Sequence, residues 1–209
     1  MLRVAEFAAL FFGVPSLFAF TRHRFSALPT LWVFAACSMA VLLHDPKMNH
    51  DALWNAAALP RNLASVLLPF CLAALVLLLA VHHFAPTVFL SLPRTNPMLF
   101  AAILMLYPVF SVYPQGVVYR AFLCHRYSGI FGSGWGIVVA SAVAFGYLHI
   151  VFRNAWAVGL SVLAGLLFAV RYQVTGSLFV SAFEHTLYGY LIFTSGLGRY
   201  FYSGNVRRA

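Results

Sequence analysis

The chain has very little charge for its length. Only 8% of its 209 residues are charged, from 13 Lys and Arg and four Asp and Glu. A soluble domain carries about 25% charged residues, so this chain has too few to cover a surface that faces water. The composition excludes a water-soluble globule and also a disordered chain, which combines high charge with low hydrophobicity.

Cysteine is equally scarce and forms no pattern. The three cysteines are scattered, with no C-x-x-C spacing between them: Cys37, Cys71 and Cys124. An odd number of scattered cysteines predicts neither a disulfide framework nor a structural zinc site. We expect free thiols buried in apolar surroundings.

The chain instead consists largely of long apolar runs, with 63% hydrophobic residues and a mean hydropathy of +0.88. A membrane helix needs about 20 mostly apolar residues, and seven runs qualify, or eight if the long loop after the second re-enters the bilayer. Their approximate bounds are Val4–Phe20, Leu28–Leu43, Leu63–Val81, Met98–Pro114 with a continuation to Tyr127, Trp135–Phe152, Ala155–Tyr172 and Ser177–Leu197. The sequence therefore predicts an all-α polytopic transmembrane helix bundle.

Two further expectations follow from the same runs. No small-residue cleavage site follows the first run, so we interpret it as a retained span and not as a signal peptide. The net charge of +9 comes from basic residues that lie singly or in pairs between apolar runs, as in the loops of membrane proteins. It therefore predicts no nucleic-acid partner.

Polar side chains nevertheless occur inside the later spans, where such groups are costly and usually functional. They form three clusters: Gln115, Tyr119, Arg120, His125 and Arg126 after a stretch that Pro108 and Pro114 should kink; His149, deep in the fifth span; and Glu184 with His185 in the seventh. We expect Arg120, His149 and His185 to converge on one cavity. Glu184 should face protein, with Arg120 or His149 as its partner. The alternative is that each polar group serves packing alone, or that Arg120 snorkels to an interface.

Three motifs in these spans resemble those of the CPBP family, which includes the type II CAAX prenyl proteases, the Abi proteins and bacteriocin-processing enzymes. The segment from Gln115 to Arg120 stands at the E-E-x-x-x-R motif, the segment from Phe145 to His149 matches F-x-x-x-H, and the segment from His185 to Gly189 stands at H-x-x-x-N. The resemblance extends from about Met98 to Leu197. It implies a protease-like core in the last four helices, over residues 96–209, preceded by N-terminal helices over residues 1–95. It also implies an integral protein of the bacterial inner membrane.

The resemblance further implies roles for individual residues. In the family the first glutamate activates a water, the histidines assist, and the asparagine helps to hold the oxyanion. Carried over, it marks as catalytic His149, His185, Gln115 and Arg120, with Glu184 as a substitute carboxylate, and as substrate-binding Tyr119, Phe145 and Gly189. This chain departs from the pattern at three positions. Gln115 cannot act as a base, Gly116 has no side chain, and Gly189 lacks the asparagine amide.

Several interpretations of this set of residues remain open. His149 or His185 could serve as the base, oriented by Glu184, while Gln115 donates a hydrogen bond to the oxyanion. No cofactor is expected. Two histidines and a carboxylate are also a catalytic zinc pattern, although Glu184 and His185 are adjacent and cannot easily aim at one point.

The expected partners are the lipid bilayer and a peptide or protein substrate. The leading hypothesis is an intramembrane endopeptidase. Its alternative is an inactive relative that acts as a binding, scaffold or immunity factor. A transporter would usually show an internal repeat, and the sequence has none.

Overall fold

A computed structural model describes residues 1–21 and 27–201, and in these ranges every regular element is helical. Seven long helices occur where the seven apolar runs predicted them. They are α1 Leu2–Phe20, α2 Ala27–His44, α3 Ala56–Phe84, α4 Pro97–Phe131, α5 Trp135–Phe152, α6 Ala155–Thr175 and α7 Leu178–Ser195. The predicted all-α polytopic bundle is confirmed.

Five of these helices are long and apolar enough to cross a membrane, namely α1, α3, α4, α5 and α6. Helix α2 is apolar but shorter. Helix α7 contains the polar pair Glu184 and His185 and is not among the five. The prediction of seven or eight spans is therefore supported by seven helices, of which five qualify by length and composition.

The outer surface of the bundle is apolar, as a surface in contact with lipid should be. On α3, for example, Leu68, Leu72 and Leu79 are more than half exposed. Cys37 and Cys71 also lie on the outside, whereas Cys124 is buried. All three thiols are free as predicted, but the expectation that all are buried is wrong for two of them. A thiol is apolar enough to face lipid.

Helix α4 brings the first polar cluster into the interior. The helix remains continuous through Pro108 and Pro114, with π-helical stretches at Pro108–Val112 and Val117–Phe122. Each π turn contains an extra residue and rotates the following side chains relative to a regular helix, a feature frequent at functional sites. Residues 114–124 are all buried.

Helices α5 and α6 cross at close range because both carry small residues at the contact. A Cβ atom on Gly146 would lie 2.9 Å from the backbone nitrogen of Val162, and one on Gly165 would lie 3.0 Å from Cα of Ala142. Small residues allow such backbone approach between membrane helices. Asn154 begins α6 by accepting a hydrogen bond from the Ala157 amide, so the histidine-bearing end of α5 is fixed against the next helix.

Candidate active site

Arg120 and His185 form the buried centre of the site. Arg120 is 1% exposed, and its guanidinium lies between two aromatic rings, 5.1 Å from the centroid of Phe145 and 5.0 Å from that of Phe168. Its Nη2 atom donates to Nδ1 of His185 over 3.3 Å. The aromatic faces stabilise a cation that forms no ion pair with any carboxylate in the described part of the chain.

The hydrogen bonds of His185 define its tautomer. A guanidinium can only donate, so Nδ1 of His185 accepts from Arg120 and the ring proton lies on Nε2. That Nε2–H donates to the hydroxyl oxygen of Tyr107 over 3.3 Å. The ring is held by stacking on Phe168 at 4.6 Å between centroids and by the perpendicular ring of Phe145 at 5.3 Å. Both nitrogens of His185 are thus occupied within the protein.

His149 has the opposite tautomer and a free nitrogen. Its Nδ1 is 2.8 Å from the carbonyl oxygen of Phe145, which can only accept, so Nδ1 carries the proton. Its Nε2 has no hydrogen-bond partner among the described residues. The sequence placed His149 deep in the fifth span. In the structure His149 instead begins the terminal 3-10 turn, His149–Phe152, and lies three residues before the end of α5.

These groups border one large cavity of about 750 Å³ between α3, α4, α5, α6 and α7. His149, His185 and Gln115 all line it, together with Phe145 and Gly189. Arg120 lies behind His185 and does not line it. The prediction that Arg120, His149 and His185 converge is thus confirmed for the two histidines directly and for Arg120 through its contact with His185. Most of the remaining wall is aliphatic, which suits an apolar substrate.

The first motif, from Gln115 to Arg120, contains an amide and a guanidinium that each have one buried atom without a hydrogen-bond partner among the described residues. Gln115 donates from Nε2 to Ser111 Oγ at 2.7 Å, and its buried Oε1 has no partner among the described residues. Arg120 Nη1 is likewise buried and without a partner there. A Cβ atom on Gly116 would lie 3.2 Å from that nitrogen. The position of the second family glutamate therefore lies directly beside an unpaired guanidinium nitrogen.

Glu184 faces protein as expected, but its predicted partner was wrong. Both carboxylate oxygens accept from Arg171 of α6, at 2.9 and 3.0 Å, and Arg171 also donates to Ser65 of α3. Neither Arg120 nor His149 forms a hydrogen bond or ion pair with Glu184, and Glu184 does not line the cavity. Its two oxygens are engaged, so the two-histidine zinc pattern lacks its carboxylate. The described residues contain no group of three potential ligands close enough for a metal ion.

The ion pair between Glu184 and Arg171 predicts a stability effect. Glu184→Gln leaves the charge of Arg171 uncompensated at a site where the glutamate side chain is 0% exposed. We expect a loss of about 3–5 kcal/mol of unfolding free energy, measured by thermal unfolding in detergent. The control Asp45→Asn breaks a solvated pair and should cost much less. An unchanged melting temperature for Glu184→Gln would contradict this account.

The remaining polar residues of the first cluster lie outside the cavity. His125 donates to Asp45 at 2.8 Å, and this hydrogen bond holds the pKa of the Asp45 carboxyl below its usual range. Arg126 makes two bonds to Glu6 of α1, each 2.9 Å. Both contacts attach the end of α4 to neighbouring segments. They give His125 and Arg126 structural roles.

Tyr119 is also not where the resemblance placed it. Its ring is buried in the aromatic core against Phe11 and Phe145, at centroid distances of 5.5 and 5.8 Å, and does not line the large cavity. The π turn that directs Arg120 inward directs Tyr119 toward α1. The expected substrate contact of Tyr119 is therefore not supported, whereas Phe145 and Gly189 do line the cavity.

Three residues of this site do not stand out in the sequence: Tyr107, Phe168 and Arg171. Tyrosine and phenylalanine are common in membrane helices, so neither stands out by type. Arg171 stands at the very end of the sixth predicted run, but α6 continues to Thr175 and keeps Arg171 within the bundle. The sequence did offer one indication of this pair, because Arg171 and Glu184 are only 13 residues apart on two helices joined by a short loop.

The fold and the site together define a polytopic α-helical membrane protein with a histidine-lined cavity inside the bundle. Residues 95–191 match the family model described as type II CAAX prenyl endopeptidase Rce1-like. Over these residues, slightly less than half of the chain, the protein is similar to the CAAX-type membrane proteases, the kind of family that the three motifs predicted. Neither the curated proteins nor the solved structures give a match to the chain.

Proposed function

We propose that this protein is an intramembrane endopeptidase that hydrolyses peptide bonds with His149 as its general base. The observation that carries the proposal is the free Nε2 atom of His149 at the wall of the large cavity. The similarity to this protease family supports a peptide substrate. The resemblance implies a mechanism that uses a glutamate and a histidine. We propose a mechanism that uses the histidine alone, because Glu184 is paired with Arg171.

His149 is better suited to this role than His185. Both nitrogens of His185 already have partners, and the adjacent Arg120 guanidinium opposes a second positive charge on that ring. His149 has a hydrogen bond that fixes its ring and tautomer and leaves one lone pair available. This is the arrangement of an oriented general base.

The reaction then proceeds in two steps. Nε2 of His149 takes a proton from a water as the water oxygen bonds to the scissile carbonyl carbon, and the π electrons move onto the carbonyl oxygen. When the oxyanion collapses, the C–N bond breaks and the protonated His149 gives its proton to the leaving nitrogen. The products are a carboxylic acid and an amine. Gln115 Nε2 can donate one hydrogen bond to the oxyanion.

The cavity also supports an apolar substrate segment within the bilayer. Its wall is mainly aliphatic, whereas the polar lining includes His149 of α5, His185 of α7 and Gln115 of α4. A volume of about 750 Å³ falls within the usual range of ligand sites, roughly 300–1,000 Å³. We propose the bacterial inner membrane as the location, which membrane fractionation would test.

A second candidate function is an inactive relative that binds a peptide as a scaffold or immunity factor. The observation in its favour is the absence of a carboxylate at positions 115 and 116. The deciding experiment is an assay of the purified chain, in detergent and in liposomes, against a library of membrane peptides. Mass spectrometry would detect cleavage products, and photo-crosslinking would detect bound peptides. Cleavage supports the endopeptidase, and crosslinking without cleavage supports the alternative.

A further inference from the structure

We propose that the hydroxyl group of Tyr107 is the hydrogen-bond donor that holds the oxyanion, in place of the asparagine amide that Gly189 lacks. The proposal rests on the proposed endopeptidase function. The first observation is position. Tyr107 precedes the π turn of α4 and lines the large cavity beside His185 and Gly189.

The second observation is that Tyr107 fills the space that a side chain at position 189 would need. A Cβ atom built on Gly189 would lie 2.7 Å from Cζ of Tyr107 and still closer to the hydroxyl oxygen. Real Cβ atoms essentially never approach another heavy atom this closely outside their own residue and its chain neighbours. With Tyr107 in its observed position, a side chain at position 189 of α7 therefore has no room, and the tyrosine hydroxyl occupies that place.

The third observation is the direction of the hydrogen bonds. Arg120 donates to Nδ1 of His185, and Nε2–H of His185 donates to the oxygen of Tyr107, so the hydroxyl proton of Tyr107 is not used in that chain. Each donation polarises the next group and strengthens its ability to donate. A guanidinium, an imidazole and a phenol thus form a relay of donors. The relay ends in the cavity, where an oxyanion would be a strong acceptor.

The fourth observation is that Tyr107 differs from its neighbour Tyr190. The two rings are 6.3 Å apart between centroids, but the Tyr190 hydroxyl donates to the Leu104 carbonyl. Among the described residues, the Tyr107 hydroxyl bonds only to His185. Tyr190→Phe therefore removes the same atom close by without touching the relay, and it is the matched control.

The decisive test is a pair of binding measurements that does not depend on turnover. The probes are a phosphinic peptide, whose charged tetrahedral centre mimics the oxyanion, and a ketomethylene peptide of the same sequence. The unmodified chain should prefer the phosphinic peptide. Tyr107→Phe should lose about 10- to 100-fold of that preference, as expected for one hydrogen bond to a charged acceptor, while Tyr190→Phe should keep it.

The outcomes separate this proposal from the proposed function. If the chain prefers the phosphinic peptide through Tyr107 but cleaves nothing, the donor is established and the endopeptidase function fails. If it also cleaves, Tyr107→Phe should lower kcat by about 10²–10³-fold with little change in KM. If the unmodified chain has no preference, or Tyr107→Phe retains it, the donor proposal is overturned.

A swap of the two positions provides an independent check. Gly189→Asn alone should abolish the phosphinic preference because its side chain collides with Tyr107, and Tyr107→Ala alone should abolish it by removing the hydroxyl. The double variant Tyr107→Ala with Gly189→Asn has room for the amide and should recover the preference. If Tyr107 had only a structural role, the double variant would not recover the preference for the phosphinic peptide. A folded double variant that fails to recover would count against the equivalence of the two positions.

Discussion

Glutamate at positions 115 and 116 is expected to raise the rate of peptide hydrolysis beyond the rate that His149 supports, by at most about 10²–10⁴-fold, the full contribution of a general base. Gln115 already lines the cavity, so Gln115→Glu places a carboxylate where a water and a scissile carbonyl would meet. An amide is not basic, whereas a carboxylate accepts the proton that hydrolysis must remove from water. Single and double variants should be assayed beside the unmodified chain on a peptide from the library.

The structure also explains why Gly116→Glu should be accommodated. A Cβ atom there would lie 3.0 Å from Cδ1 of Leu178, the mobile end of a side chain that can shift by a few tenths of an ångström. The new carboxylate would be adjacent to Nη1 of Arg120, which now has no partner in the described structure. We therefore expect Gly116→Glu to stabilise the buried guanidinium, and the double variant to exceed Gln115→Glu in rate.

Two matched controls make this result specific. Gln173→Glu changes the other glutamine of the chain at an exposed position, and Gly129→Glu adds a glutamate at a helical glycine with no neighbour within 4 Å. Both should leave the rate unchanged. If the unmodified chain already cleaves as fast as the double variant, the absent carboxylates are not what limits the rate.

His149→Ala is expected to reduce hydrolysis by the unmodified chain by about 10²–10⁴-fold, because no other described residue offers a free, oriented base to the cavity. His44→Ala is the matched control. His44 makes the same 2.8 Å Nδ1 contact to the carbonyl four residues earlier, Ala40, but at the exposed end of α2. The measurement is kcat and KM for both variants on one cleaved peptide.

The two predictions are also coupled. Once Gln115→Glu supplies a carboxylate base, the further loss caused by His149→Ala should become much smaller, because residues that perform one task are not additive. If His149→Ala keeps full activity in the unmodified background while His185→Ala loses it, then His185 is the base and the proposed role of His149 is wrong. We therefore expect His149→Ala to lower the rate strongly in the unmodified chain and only slightly in the Gln115→Glu background.

The general architecture was readable from the sequence because lipid imposes a simple rule. Long apolar runs predicted all seven helices, since backbone polar groups in a bilayer must be satisfied within the element. The convergence of His149 and His185 was predictable for a related reason, as neither residue could face lipid cheaply. The division into residues 1–95 and 96–209 stays a prediction. Helix α3 lines the cavity and binds Arg171 through Ser65, so the two parts share contacts.

The finer arrangement of the site was not readable because it depends on helix rotation. The π turns of α4 decide that Arg120 points toward His185 while the adjacent Tyr119 packs toward α1, and a regular period of 3.6 residues does not predict them. The hydrogen bond between the Tyr107 hydroxyl and His185 depends on how far α4 and α7 are shifted relative to each other along their axes. Arg171 stood at the end of the sixth predicted run, next to the expected loop, so its pairing with Glu184 was not evident from the sequence.

The pairing of Arg171 with Glu184 has a consequence for how the chain enters the membrane. Only Gly176 and Ser177 separate the end of α6 from the start of α7, so the two charges can meet as soon as this hairpin forms. An isolated Arg or Asp at the centre of a membrane helix costs about 2.5–3.5 kcal/mol on insertion. A neutral pair avoids much of that cost. Helices α6 and α7 are thus suited to leave the translocon together as one helical hairpin.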